Sequence, residues 1–480
     1  MSTLSELLPA GGGGATVDFV ASGTLPNGKP VVLKADGTVE VVAESTVTGL
    51  KGDTPVVFES ATALHFAVAM LTSTKVIVAY SDDGNSGAGT ACILDISGST
   101  ITAGTPLTFN NVYGIIQISI AALTSTKAIV TYKDGTNSSY GTANILDVSG
   151  STITAGSAAV FNSATTTYTS VAMLTSTKAI VCYGYYGKAR ILDVSGTAIT
   201  VGSELYFSGN TAYIFPDSVK ALTATKAIVA YRNVGGSGYG TSCILDVSGS
   251  TITAGTLFVF NSADTQNVST ALLTSTKAIV AYKDDGNSSY GTSIILDVSG
   301  STITAGSAAV FNSASTINTS VTALSSTEAI TVYRDQGNSS YGTGCVLAIS
   351  GSTITAGSKA VFENATSDKM VVAALTTKKA ITAYTDSNNG GYGTATVLDT
   401  EYIDTNLTTT NFVGTSTAAY TNAETATIAI QGGLSTNQTG LTIGSTYYVQ
   451  GDGTFATTAD TISVNAGKAL SATTLLLKDL

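Results

Sequence analysis

Apolar and polar positions alternate in short runs along most of the chain, as at Ala278-Ile-Val-Ala-Tyr282, Thr292-Ser-Ile-Ile-Leu-Asp297 and Ala308-Ala-Val-Phe311. Glycine, serine, asparagine and aspartate fill the gaps between the runs. A period of two bounded by turn-forming residues predicts β-strands joined by tight turns.

The runs themselves recur as a unit. The stretch 273–312 has relatives from about residue 53 to residue 400, and the tyrosine that closes the second run falls at Tyr80, Tyr132, Tyr183, Tyr231, Tyr282, Tyr333 and Tyr384. Each copy holds four strand signals, represented by 320–324, 278–282, 292–297 and 308–311. Four short antiparallel strands in about fifty residues make one blade of a β-propeller, which must stack on its neighbours to bury a core. The first three strands occur seven times, but no copy of the fourth follows the last set at 370–399. A stray copy, Thr54-Pro-Val-Val-Phe-Glu-Ser60, stands before the first set. The reading is therefore a seven-bladed propeller over 51–400, closed by pairing strand 54–60 onto the last blade so that no edge stays open.

The flanks do not repeat. Residues 15–48 alternate and carry the hairpin dipeptide Asp36-Gly37, and Tyr447-Tyr-Val-Gln-Gly-Asp-Gly-Thr-Phe455 mirrors that arrangement. Residues 15–50 and 401–480 are expected to form one discontinuous β-rich domain, β-clip or barrel-like, into which the propeller is inserted. Residues 1–14, with Leu4, Leu7 and Leu8 before a run of glycines, are expected to be an N-terminal arm, either disordered or ordered against a neighbouring subunit.

Composition narrows the partners. A net charge of -11 and the lack of any Lys/Arg stripe exclude nucleic acid. No apolar run is long enough for membrane insertion, and the N-terminus lacks the pattern of a secretory signal. Cys92, Cys243 and Cys345 occupy one place in different repeats and read as buried small hydrophobes.

Candidate chemistry is sparse. His65, the one histidine, lies in the first strand of the first blade and reads as a hydrogen-bonded structural residue. Asp82, Asp83, Asp134, Asp284, Asp285, Asp335 and Asp386 follow the second strands beside Gly and Asn, where turn formation explains them better than calcium does. Asp95, Asp147, Asp193, Asp246, Asp297 and Asp399 end third strands, with Ala348 in the sixth blade, and are read as stabilising hairpins. No catalytic constellation, metal site or cofactor motif is expected. The Thr-Ser-Thr-Lys and Ser-Gly-Ser-Thr loops barely vary, whereas the loops of the opposite face do, so a partner is expected there. Aromatic residues gather on that face: Tyr113, Tyr168, Tyr185, Tyr186, Tyr213 and Phe215 are the candidate ligand-binding residues. The alternative is that they pack on one another beside the short loop 184–189.

The flanks carry a resemblance. Gly28-Lys-Pro-Val-Val-Leu-Lys-Ala-Asp-Gly-Thr-Val, Asn411-Phe-Val-Gly414, Gly440-Leu-Thr-Ile-Gly-Ser-Thr-Tyr-Tyr-Val-Gln-Gly-Asp-Gly-Thr-Phe, Ala466-Gly-Lys-Ala-Leu-Ser-Ala-Thr-Thr-Leu-Leu-Leu477 and the Leu-Leu-Pro-Ala-Gly-Gly-Gly-Gly opening resemble the β-domain of tailed-phage virion proteins, of capsid-decoration or tail-fibre type. The resemblance implies a non-enzymatic structural protein on the virion surface, with other virion proteins as partners, assembly as a homo-oligomer or symmetric array, and a propeller displayed for host attachment. The alternative function is a propeller adhesin that binds a host surface glycan or, further off, a glycosidase.

Overall fold

The computed structural model describes residues 16–460 and 462–478, so the expected arm at 1–14 lies outside the described residues. The chain divides into two compact units: a split unit of residues 1–48 and 401–480, and a repeat unit of residues 49–400.

Among the described residues the split unit has two five-stranded antiparallel sheets. One runs Thr16–Val20, Thr425–Ala429, Phe412–Ser416, Pro30–Leu33, Val39–Val41, and the other Leu434–Ser435, Leu475–Leu477, Val464–Ala469, Thr446–Val449, Phe455–Ala456. Each contains one of the expected Asp-Gly hairpins. The backbone N–H of Thr38 donates to Asp36 at 3.0 Å and that of Thr454 to Asp452 at 2.8 Å, and Gly37 and Gly453 take the left-handed conformation that the turn needs. Val32, Leu407 and Phe412 share one core with Tyr447, Val449, Leu475 and Leu477.

The repeat unit is a β-propeller. Seven antiparallel four-stranded sheets follow one another among the described residues, each with an inner, a second, a third and an outer strand. The inner strands are 63–72, Ile115–Thr124, Thr169–Thr175, Val219–Thr223, 265–274, 316–323 and 367–374. They lie side by side around an axis, with 367–374 against 63–72. Several outer strands run without a break into the next inner strand, as in Val56–Thr72 and Phe258–Thr274. In Val56–Thr72 the first part pairs with the last sheet, Val56 to Ala395 and Val57 to Thr394, and the second part begins the first sheet.

Each sheet is joined to the next by an aromatic pair. The outer-strand phenylalanine of one blade meets the second-strand tyrosine of the following blade: Phe109 with Tyr132, Phe161 with Tyr183, Phe207 with Tyr231, Phe260 with Tyr282, Phe311 with Tyr333 and Phe362 with Tyr384, at centroid distances of 5.0–5.6 Å. Phe58, from the early outer strand, meets Tyr80 in the same way at 5.5 Å. The seven tyrosines are among the largest fully buried side chains of the protein. These pairs explain the recurring Tyr-Gly-Thr motif, because a Cβ on Gly141 or Gly240 would lie 2.5 Å from the ring of Phe161 or Phe260.

The aspartates ending the third strands do more than stabilise their own hairpin, which corrects the sequence expectation. Asp246 pairs with Lys226 of its own blade through one oxygen and accepts from Ser301 of the next blade at 2.6 Å through the other. Asp95 does the same with Lys75 and Ser151, Asp193 with Lys178 and Ser250, and Asp297 with Lys277 and Ser352. Repetition of the motif therefore ties blade to blade. The second-strand loop aspartates act in turns, as expected: Asp82 accepts from the backbone of Asn85 and Asp335 from that of Gly337. All four cysteines are free and buried, and burial pushes the Cys92 and Cys345 thiols up to about 11. Among the described residues no helix is long and apolar enough to cross a membrane.

Partial burial raises the carboxyls of Asp95, Asp193, Asp246 and Asp297, but the Lys and Ser hydrogen bonds outweigh it and hold each below its ordinary value. A carboxyl depressed on folding contributes stability above its unfolded value of about 3.9, and that stability is lost as the pH falls through the folded value. The clasps are half exposed, so each is expected to contribute only about 0.2–1 kcal/mol. Urea midpoints measured between pH 6 and pH 3 should fall on the acid side, and Asp246→Asn should lower the midpoint at pH 6 while flattening that fall.

Candidate functional site

The inner strands share an irregularity that the repeat did not reveal. Near the start of each, inside the strand or one to two residues before it, stands a non-glycine residue with positive φ: His65 (55°), Gln117 (56°), Tyr168 (56°), Asp217 (65°), Asn267 (51°), Asn318 (53°) and Lys369 (52°), Asp217 one place further along than the others. In five blades the pairing register slips by one residue there, between Leu64 and Ala67, Ile116 and Ser119, Gln266 and Ser269, Ile317 and Ser320, and Asp368 and Val371. This is a β-bulge, whose extra residue turns the strand and re-aims its side chain. The left-handed conformation costs an L-residue about 1–2 kcal/mol, and glycine would adopt it freely. None of the seven is glycine. All are polar or carry a hydroxyl, and nearly every one differs from the next.

These seven positive-φ residues ring the axis and line a cavity of about 360 Å³. Phe66, Ile118, Val268 and Met370, each directly after a bulge residue and each buried, form an apolar floor. Thr319 holds that place in the sixth blade. It is 7% exposed, and its hydroxyl has no hydrogen-bond partner in the structure. The ring is fixed from behind: the backbone N–H of Val171, Val219 and Val321 each donates at 3.1 Å to a serine of the preceding blade, Ser119, Ser170 and Ser269. Gln117 also accepts from the Tyr168 backbone at 2.7 Å. Rigid support of this kind is what a preorganised site requires.

His65 is not the hydrogen-bonded structural residue expected from sequence. Among the described residues no hydrogen bond holds its ring; it lines the cavity beside Lys369. Burial, and then the charge of Lys369, push its pKa down to about 4, so it is neutral at pH 7. Asp217 is paired with Lys220 at 2.9 Å.

The expected aromatic residues separate into two groups. Tyr168 and Phe215 line the cavity. Tyr213 packs on Tyr168 at 5.2 Å and Tyr185 on Tyr213 at 5.7 Å, while Phe215 lies 5.9 Å from Tyr168. These four form an aromatic wall, so mutual packing and access to the cavity both hold. Tyr113 and Tyr186, 75% and 57% exposed, lie outside the lining. Sequence reading missed Gln117, Asn267, Asn318 and Lys369, and took His65 for a hydrogen-bonded structural residue. Their signal was weak, because the residues on either side of them vary between blades as much as they do. A second hollow, in the split unit, offers less, because its polar side chains satisfy one another: Asn437 donates to Asn27 at 2.9 Å and Gln438 to Gly28 at 2.7 Å. Among the described residues no group of acids, histidines and cysteines could hold a metal ion.

No family model matches the chain and no curated protein matches it, so the likeness to virion proteins rests on sequence motifs alone. Solved structures resemble it distantly. A protein of unknown function from Dyadobacter fermentans is 10% identical, with 74% of this chain and 100% of that one covered and a TM-score of 0.45. The NanB sialidase of Streptococcus pneumoniae, as its K499G mutant, is 11% identical over 72% of this chain and 70% of that one, with a TM-score of 0.44. The six-bladed β-propeller lectin of Aleuria aurantia, described with a fucose recognition mode, is 11% identical over 64% and 99%, with a TM-score of 0.40. At these values none of them bears on what this chain binds.

If the bulge residues serve a ligand at the expense of the backbone, removing one should not weaken the fold. In Lys369→Gly the relieved left-handed penalty of about 1–2 kcal/mol exceeds the added backbone entropy of about 0.5–1 kcal/mol. Thermal unfolding should show an unchanged or raised midpoint, and a clear drop would mean that Lys369 is there for stability.

Proposed function

We propose that this chain is a non-enzymatic binding protein whose propeller captures a glycan in the axial cavity. One observation carries the reading: seven conformationally costly residues, one from each blade, line a single cavity as His65, Gln117, Tyr168, Asp217, Asn267, Asn318 and Lys369; six share one place in the repeat, and Asp217 stands one place further on, after Pro216. Backbone strain concentrated at one place, with the surroundings holding it, is a mark of function. The volume lies within the range of small-molecule sites, about 300–1,000 Å³. A sugar presents apolar C–H faces and many hydroxyls, which suits an apolar floor, an aromatic wall at Tyr168 and Phe215, and a rim of amides and charges.

Binding is favoured over hydrolysis because glycosidases ordinarily work with two carboxyl groups across the scissile bond. Asp217 is the one carboxylate among the described lining residues, and Lys220 already engages it. Display of such a reader on a phage particle through the split unit is what the flank motifs imply.

The variation between blades gives a further consequence. Seven identical blades would offer seven equal sites, whereas seven residues of six kinds around one axis make a single asymmetric site. Glycan-array screening followed by calorimetry should find one sugar bound per chain without turnover, with Tyr168→Ala and Asn267→Ala each weakening it about tenfold, the size of about 1.4 kcal/mol in lost contacts. Absence of binding to any glycan, or several equivalent ligands per chain, would contradict the proposal.

A further inference from the structure

The charged groups around the cavity are unequally partnered. Asp217 is held by Lys220 at 2.9 Å. Asp368, next to the ring, accepts from the Asn318 amide and has the Arg334 guanidinium at 3.9 Å. Lys369 stands apart: it is exposed, and its ammonium makes no ion pair or hydrogen bond recorded among the described residues. The uncommitted charge of the cavity is therefore positive, in a chain whose net charge is -11.

Two neighbours of Lys369 add to this. On one side, in the first blade, lies the half-buried His65, neutral at pH 7 and without a hydrogen-bond partner. On the other, in the sixth blade, lies Thr319, with a buried and unpartnered hydroxyl. Buried polar atoms are nearly always satisfied, so the unpartnered hydroxyl of Thr319, a residue that lines the cavity, is a place where a small local adjustment would let a ligand atom supply the missing hydrogen bond. The arc Thr319, Lys369, His65 thus offers a cation flanked by two unsatisfied polar groups. A hydrogen bond from an ammonium to a carboxylate is about twice as strong as one between neutral groups, and partial burial strengthens it further.

Resting on the glycan reading above, we propose that the ligand is an acidic sugar, a uronic acid unit of a glycan, with its carboxylate between Lys369 and His65 and a ring hydroxyl at Thr319. No covalent step is involved; the site recognises charge and shape.

Calorimetry of the full chain with oligogalacturonate, with its methyl ester, and with a sulfated neutral oligosaccharide tests this. The acid should bind at least tenfold more tightly than the ester at constant ionic strength. Lys369→Gln should bring acid and ester to equal affinity, Lys369→Arg should keep most of the preference, and Thr319→Val should weaken acid and ester alike. Lys369 is exposed, so unchanged melting of its variants separates lost recognition from lost folding. Equal affinity for acid and ester, or tighter binding of the sulfate, overturns the carboxylate assignment and leaves the glycan reading standing. Failure of every sugar, neutral or acidic, overturns both.

Discussion

The structure depends on the contact between an outer-strand phenylalanine and the tyrosine of the next blade. A four-stranded sheet covers only part of its apolar surface, and the remainder must be covered by the sheet that follows. In this chain the seam is closed by a Phe–Tyr pair worth about 0.5–1.5 kcal/mol beyond the area it buries. The ring of Phe161 lies on Gly141 of its own third strand, which places it against Tyr183 of the next blade. With glycine at that position the outer strand lies close to its sheet, and with alanine it could not. The same contact, made by Phe58 and Tyr80, spans the first and last sheets and leaves the ring of blades without an open seam.

Closure of the ring has consequences at the axis. Seven inner strands are held side by side, and serine-to-backbone hydrogen bonds such as Ser119 to Val171 lock their relative heights. A left-handed residue at the start of each strand, part of a bulge in five of them, then delivers seven side chains to one cavity. Repetition supplies the frame, and variation at the starts of the inner strands supplies the chemistry. The left-handed backbone at those positions is tolerated because packing and hydrogen bonding on either side fix it, and a side chain in that place can then face a ligand. The clasps at the third-strand aspartates strengthen the same frame by linking each blade to its successor.

Much of the fold was legible. Alternating runs and turn residues give the strands, the Tyr-Gly-Thr period gives the blade, and the Asp36-Gly37 and Asp452-Gly453 turns give the hairpins of the split unit. The site was legible only in part. Tyr168, Tyr185, Tyr213 and Phe215 stood out because they fall outside the repeated Phe and Tyr positions and gather in neighbouring blades on the variable face. The bulge did not, since a left-handed residue announces itself in sequence mainly as glycine, and His65, Gln117, Asn267, Asn318 and Lys369 carry no such sign. His65 read as a hydrogen-bonded structural residue because no catalytic or metal motif surrounds it in an apolar strand. The reach of Asp246 to Ser301 was hidden for a different reason: a motif repeated in every blade looks local until neighbouring blades are brought together.

Native-state hydrogen exchange tests the closed ring most directly. Val57 pairs with Thr394 as Val310 pairs with Thr292, so the amides of residues 56–62 should be protected as strongly as those of residues 309–315. Exchange of 56–62 at the rate of a free segment, with 309–315 still protected, would contradict the closed ring and with it the axial site.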